Sequence, residues 1–402
     1  MTQQGFEPWL AEARALHRET PVFVPYIEHY GGVFKASGQR QCDVEKLDAA
    51  GIRTFGAAVG HGPHALGIGP GEVGIMAPDD LLYERVNQKI DRLLSDAGEC
   101  PRARQVRRVS ELRPPPGDDT LRFFILSTGQ RHYRTLEDVE YFFRRGLRAA
   151  HLAGDKFIRG IFVEKADGVA VPPITEYGRQ VVARMNEIGI VIDTAHMSDE
   201  AVIEIARITK KPIFDGHTCS RDLVPSSRGL NDQALRAIAG TGGCVGIHFA
   251  DHMLAEFVNK TKYAGNGYNA AEGVYAYHRH VLTLAKDPVE VKRLRDDAEG
   301  RARFLREHGY PPVPTPGRER VVTVAHMADH IEYLVNLIGI DHVGLGGDIN
   351  GIGDDQWPVG MDHVGELPHL TAELLRRGWK REALKKFLSE NWYRVFEAGL
   401  PE

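Results

Sequence analysis

Two runs carry most of the chain's chemistry, IVIDTAHMSDEAV and KPIFDGHTCSR, in which His196 and His217 each stand just past a short β-branched stretch. Those stretches, 190–195 and 212–216, read as strands, and 199–208 between them reads as a helix. Strands joined through a helix run parallel, so both imidazoles leave the sheet at the same end and can meet at one point. A lone histidine in such a place is more often a cap or a core residue. Two at consecutive strand ends make half a site for a borderline divalent ion such as Zn²⁺. Glu164 ends a strand predicted over 159–164 and adds an oxygen ligand, leaving a position open. Asp348, in GLGGDINGIG, ends a strand predicted over 342–348. A carboxylate there can take a proton from water and return it to a leaving group, or ligate a second ion. On position alone it serves equally as a cap. Arg228, in VPSSRGLND, has the donors to grip a carboxylate at two points, but by itself it reads as a surface arginine before a helix capped by Asn231 or Asp232.

Bringing these residues together requires a scaffold that ends many strands on one face. Further strands are predicted over 22–27, 54–60, 123–128 and 243–249, making eight in all. Their alternation with amphipathic stretches predicts an α/β fold, a (β/α)8 TIM-like barrel with helical insertions and room for distortion. Glu28, His61, Glu164, His196, His217, His248 and Asp348 lie at or just past strand ends, the face where this fold carries its sites. A doubly wound sheet would do the same, but the glycine fingerprint after its first strand is absent. The loop holding Gly67, Gly69, Gly71 and Gly74 fits neither GxGxxG nor a phosphate-loop pattern. The chain is expected to be a single domain over 1–402 with insertions at about 62–120 and 251–320. The first contains a helix around 79–97; the second is charged and helical near 271–308 and suits a lid or a dimer arm. His278 and His280 are too close in sequence to share a helix face and read as surface residues.

Composition excludes other partners. Over 402 residues the formal net charge is −5 and no Lys/Arg block occurs, so neither nucleic acid nor an anionic membrane is expected as a partner. Glu7, Glu12 and Glu19 mark an N-terminal stretch unlike a signal peptide, and no run approaches the length of a membrane span. Cys42, Cys100, Cys219 and Cys244 lack CxxC spacing and read as reduced thiols. The expected location is cytoplasmic.

From DTAHMSDEAV, through PIFDGHTCSRDLVPSSRGLNDQALRAIAGTGGCVGIHF and ADHIEYLVNLIGIDHVGLGGDING, to FLSENWYRVFEAG, the sequence resembles the membrane (renal) dipeptidase family of metallopeptidases, members of the amidohydrolase-like metal-dependent barrels. QCDVEKLDAAGIRTFGAAV is similar to that family's first helix and second strand, and GDKFIRGIFVEK to its Gly-Val-Glu strand. The resemblance implies that His196 and His217 match the histidines of one metal and Glu164 the carboxylate bridging two. It implies that Asp348 matches the aspartate that binds the second metal and manages the proton of the bridging water, and that Arg228 matches the arginine for the substrate carboxylate.

Departures accompany the resemblance. Where the family's first strand ends in His-x-Asp, supplying two ligands of the second metal, PVFVPYIEHYGG carries Tyr26 and Glu28. A phenol must lose a proton of pKa about 10 to bind a metal well, so Tyr26 weakens the set, while Glu28 keeps the charge at a longer reach. His29 is the other ligand at hand, although strand alternation points it away from Glu28. The family's next helix and strand, ending in a His that contacts substrate, find only Lys165 to Ile174 in the interval after Glu164, and are expected to be missing. The run 123–128 then either fills the gap or lies outside a distorted barrel. Asn350 in DING replaces an aspartate of the family's DFDG. The expectation is a metal-dependent hydrolase with one or two divalent ions, most readily Zn²⁺, acting on an amide bond of a small, dipeptide-like substrate that carries a carboxylate. The alternative is a lyase, isomerase or tailoring enzyme with an altered or mononuclear site. A homodimer is the expected assembly on general grounds of symmetry.

Overall fold

The computed structural model describes residues 6–60, 78–154, 158, 172–226, 228–254, 322–353 and 356–402. Its strands are β1 (Val22–Glu28), β2 (Ile52–Gly60), β3 (Ala103–Gln105), β4 (Leu121–Thr128), β5 (Leu147–His151), β6 (Val191–Asp193), β7 (Phe214–Thr218), β8 (Cys244–His248) and β9 (Val343–Gly347). Eight of them pair in parallel in the order β1-β2-β4-β5-β6-β7-β8-β9, with the short β3 attached to the start of β4. The ring closes where Ile27 bridges Ile349 in parallel and the Glu28 amide donates to the Ile349 carbonyl at 2.9 Å. This is a (β/α)8 TIM-like barrel, with parallel strands buried on both faces as crossovers by helices require.

The described helices are α1 (Glu7–Glu19), α2 (Val44–Ala49), α3 (Asp79–Gly98), α4 (Leu136–Arg144), α5 (Glu176–Ile188), α6 (Asp199–Ile208), α7 (Asp232–Gly240), α8 (Asp251–Leu254), α9 (Val324–Ile338), α10 (Leu367–Arg376), α11 (Arg381–Lys385) and α12 (Asn391–Gly399). Their starts are set locally. Thr175, Ser198 and Asn231 each accept the backbone N–H three residues on, capping α5, α6 and α7. The helices expected at 79–97 and 199–208 are α3 and α6.

Seven of the eight expected strands are in the ring. The eighth, 159–164, lies outside the described residues, as do His61, the glycine-rich loop and the stretch near 271–308. The place left over belongs to β5, whose LRAAH sequence lacks the β-branched signature of a strand. Ala149 faces the barrel interior and Ala150 the helical layer, where small side chains suffice. This corrects the expected deletion: a helix and a strand ending in histidine do follow the third ring strand, as α4 and β5 with His151. They lie upstream of Glu164, not in the interval from Lys165 to Ile174. The run 123–128 is β4, inside the barrel as its third strand.

Two cores hold the barrel. The outer one lies between strands and helices; the inner one fills the barrel's N-terminal half. There Trp392, Tyr393 and Phe396 of α12 push among Phe23, Phe124 and Phe214, with Phe124 and Phe396 4.5 Å apart between ring centroids. Gly344 permits this, because a Cβ at that position would stand 2.5 Å from the Trp392 indole nitrogen. With the bottom plugged by aromatic rings, the polar strand ends are left to the opposite mouth. Among the described residues no helix is long and apolar enough to cross a membrane, and the four cysteines are free and buried.

Outside the barrel, His17 joins three elements. Its Nδ1 donates to the Ala50 carbonyl at 2.7 Å and its Nε2 meets the Thr371 hydroxyl at 2.7 Å. Burial lowers its pKa to about 4. Unfolded histidine takes up its proton near 6.5, so the stabilising effect of a neutral His17 is complete above about pH 6.5 and is lost as pH falls towards 4. The stability difference between wild type and His17→Phe, measured by urea denaturation, should therefore shrink by about 2–3 kcal/mol between roughly pH 7 and pH 4.5; a constant difference contradicts the assignment.

Candidate active site

Backbone strain marks the mouth. Among the described residues, three that are not glycine adopt left-handed conformations: His196 (φ 62°), Asp348 (φ 60°) and Asn350 (φ 66°). All three follow strand ends, and such strain persists only where the surroundings enforce it. For His196 the enforcement comes from Asp193, whose Oδ1 accepts the amides of Ala195 (3.0 Å) and Gly216 (2.9 Å), tying the ends of β6 and β7 together. Asp215 Oδ1 likewise accepts the His217 amide at 3.1 Å. At the closing seam, the Asn350 side-chain amide donates to the Glu28 carbonyl at 3.0 Å, and its main-chain amide donates to Gln41 at 2.8 Å.

The expected histidines meet. His196 Nε2 and His217 Nε2 are 3.3 Å apart, and His217 Nε2 is 3.9 Å from Asp348 Oδ1. Burial, then the charge of Arg228, lowers the pKa of both rings well below the histidine norm, so both are neutral. Arg228 is in the site, not on the surface: it is 4% exposed and donates through Nη2 to the His217 carbonyl at 2.8 Å. The resemblance, not the local reading, anticipated this. His151, which no sequence signal marks, and His248, expected on this face as a strand-end residue, complete the cluster. His151 stacks on His196 with ring centroids 5.0 Å apart, and His248 Nε2 lies 3.4 Å from Asp348 Oδ2. Asp193 and Asp215 belong to the site too, and the signal for them is their place three and two positions before its histidines, in DTAH and DGH. Burial, together with the charge of Asp215, pushes Asp193 upward, and burial pushes Asp215 upward against the pull of Arg228.

The β1 residues point inward as well. A register shift between Val24 and Ile27 turns Tyr26 into the inner core, with its ring 4.4 Å from that of His217. Burial, then the charge of Glu28, raises its phenol further above the usual value. Burial and then the facing Asp348 push Glu28 up to about 7, while Tyr30 and Lys89 act in the opposite direction. His29 faces away, as strand alternation predicts, and pairs with Asp96 of α3 at 3.0 Å.

The metal question turns on donor geometry. A tetrahedral ion with metal–nitrogen bonds of about 2.0–2.1 Å spaces its ligands roughly 3.3 Å apart. The two neutral imidazoles match one edge of such a set, with their Nε2 atoms facing each other. Among the described residues no group of three or more His, Cys, Asp or Glu side chains is arranged to hold an ion. Glu164, the carboxylate expected to join the pair, lies outside the described residues. The third ring strand, β4, ends in Ser127 and Thr128, and the Ser127 hydroxyl is engaged with Tyr133 at 2.6 Å.

Fold and site together define a parallel β/α barrel whose histidine–carboxylate cluster lies at the face where enzymes of this architecture carry their active sites. Residues 120–399 match the model of the membrane dipeptidase family (peptidase family M19), and the chain belongs to that family. An uncharacterized protein in the pqqA 5' region of Klebsiella pneumoniae is 28% identical over 226 residues, covering 56% of this chain and 61% of that protein. The matched part spans less than two thirds of the length of this and other curated relatives. Among solved structures, the probable dipeptidase PvdM from Pseudomonas aeruginosa has the same fold, with a TM-score of 0.76 at 19% identity over 98% of both chains. A metallopeptidase from Rhodobacter sphaeroides, liganded with a phosphinate mimic of the dipeptide L-Ala-D-Ala, superposes with a TM-score of 0.69 at 19% identity, covering 95% of this chain and 99% of that one.

Asn350 offers a test of the seam. An aspartate there loses the N–H that binds the Glu28 carbonyl and adds a third carboxylate beside Glu28 and Asp348. Asn350→Asp should lower the melting temperature by several degrees at about pH 8 and by less at about pH 5, where the carboxyl groups take up protons. Equal melting temperatures at both pH values would count against this role.

Proposed function

We propose that the chain is a metal-dependent hydrolase of the dipeptidase type, cleaving an amide bond in a small substrate that carries a carboxylate. The observation that carries this reading is the facing pair of neutral imidazoles, His196 and the buried His217, with Asp348 beside one ring and Arg228 behind it. Family membership and the dipeptidases of the same fold support it.

In this reading His196 and His217 hold a divalent ion, Zn²⁺ by donor type. Such an ion supplies Lewis-acid activation of water and of the scissile carbonyl. Asp348 takes the proton of the attacking water and delivers it to the departing amine. Arg228 keeps one N–H on the His217 carbonyl, and its remaining donors bind the substrate carboxylate. Asp193 and Asp215 fix the two turns that aim the imidazoles. The aromatic plug leaves the mouth as the side from which substrate enters.

Amine release from a panel of dipeptides and N-acyl amino acids tests the proposal. Turnover should vanish on chelation and return with added zinc or manganese, and Asp348→Asn should lower kcat by about 100-fold or more. Appreciable turnover by that variant contradicts the proton role.

Tyr26 and Glu28 favour a second reading. A carboxyl group whose pKa lies about 7, next to a buried phenol, suits acid/base chemistry without hydrolysis. Reaction in ¹⁸O-labelled water separates the two, since only hydrolysis places the label in product.

A further inference from the structure

His248 ends β8, is 3% exposed, and belongs to the same ring of imidazoles as His196 and His217. Its surroundings give it a different task. The backbone N–H of Ala250 donates to His248 Nδ1 at 2.9 Å. A main-chain amide can only donate, so Nδ1 must be the acceptor, and the single proton of the neutral ring sits on Nε2. Nε2 in turn lies 3.4 Å from Asp348 Oδ2. The strand register sets up this approach: pairing between β8 and β9 shifts between Ile247 and His248, bringing His248 opposite Gly347 and its ring alongside Asp348. The Asp348 carboxylate is thus divided, with Oδ1 towards His217 and Oδ2 towards His248.

We infer that His248 is a positioning residue for Asp348, locked by the Ala250 amide into the tautomer that donates from Nε2, and that it is not a metal ligand. Its Nδ1 is committed as acceptor and its Nε2 carries the proton, so the neutral ring has no lone pair to offer an ion. His196 and His217 face each other through their Nε2 atoms at 3.3 Å. The inference rests on the proposed role of Asp348 for its functional consequence. The proton of the attacking water passes to Oδ1 and on to the leaving nitrogen, while the N–H of His248 stays on Oδ2 and keeps the carboxylate from rotating out of the strained position after β9. His248 itself neither gains nor loses a proton over the cycle.

Two measurements test it. Ring ¹⁵N-labelled histidine in the full chain, with the His248→Gln variant to identify the signals, should give the two-bond ¹H–¹⁵N pattern of an Nε2-protonated neutral imidazole that is unmoved by zinc. An Nδ1-protonated pattern, or an Nε2 signal that shifts as a ligand on zinc addition, overturns the inference, and neither outcome depends on any activity. In turnover, glutamine places an amide donor where Nε2 stood, so His248→Gln should keep kcat within about threefold. His248→Phe should lose about 10–100-fold in kcat, with little change in KM or in bound zinc. Equal loss in both variants, or loss of zinc from His248→Phe, overturns it.

Discussion

The closing seam between β1 and β9 is the constraint on which the mouth depends. A parallel barrel has to join its first strand to its last. Here the joint is narrow: one bridge between Ile27 and Ile349, one amide of Glu28 on the Ile349 carbonyl, and the Asn350 side chain on the Glu28 carbonyl. Because the seam lies at the strand ends, it forces Glu28 to face Asp348 and holds both Asp348 and Asn350 in left-handed backbone. Asparagine tolerates that conformation better than most residues and supplies the donor that an aspartate lacks.

Burial sets the chemistry around that seam. The imidazoles at the mouth are driven neutral, while the acids Glu28, Asp193 and Asp215 are driven towards their protonated forms. Arg228 stands among them as a buried cation, and its charge lowers the histidines and steadies the acids at the same time. Neutral histidine is the form that binds a metal, so burial leaves the imidazoles ready to receive a cation. The plug from α12 completes the division by filling the other half of the barrel with rings, so that polar groups collect at one end.

Much of this was legible in the sequence, and for physical reasons. His196 lies just past β6 and His217 near the end of β7, with a helix between them that Ser198 caps, so their meeting is a consequence of parallel topology. Tyr26 and Glu28 could be located, but not the register shift that turns Tyr26 inward beside His217. β5 escaped notice because a strand of Leu, Arg and Ala takes its stability from barrel pairing and not from its own residue preferences. β4 and β5 are the third and fourth strands of the ring, and His151 ends the second of them. Arg228 could not be drawn in from the surface by local pattern, since what buries it is the carbonyl of His217, adjacent only in the fold. His248 was visible as a strand-end histidine, but its partner Asp348 depends on the β8–β9 register.

The central claim, that His196 and His217 together hold a divalent ion, is tested most directly by elemental analysis. The purified chain and its His196→Ala and His217→Ala variants would be loaded with zinc, desalted and measured for metal per chain. The account predicts at least one ion retained by the wild type and none, or a large deficit, in either variant. A wild type that retains no ion, or variants that retain as much as the wild type, would contradict it.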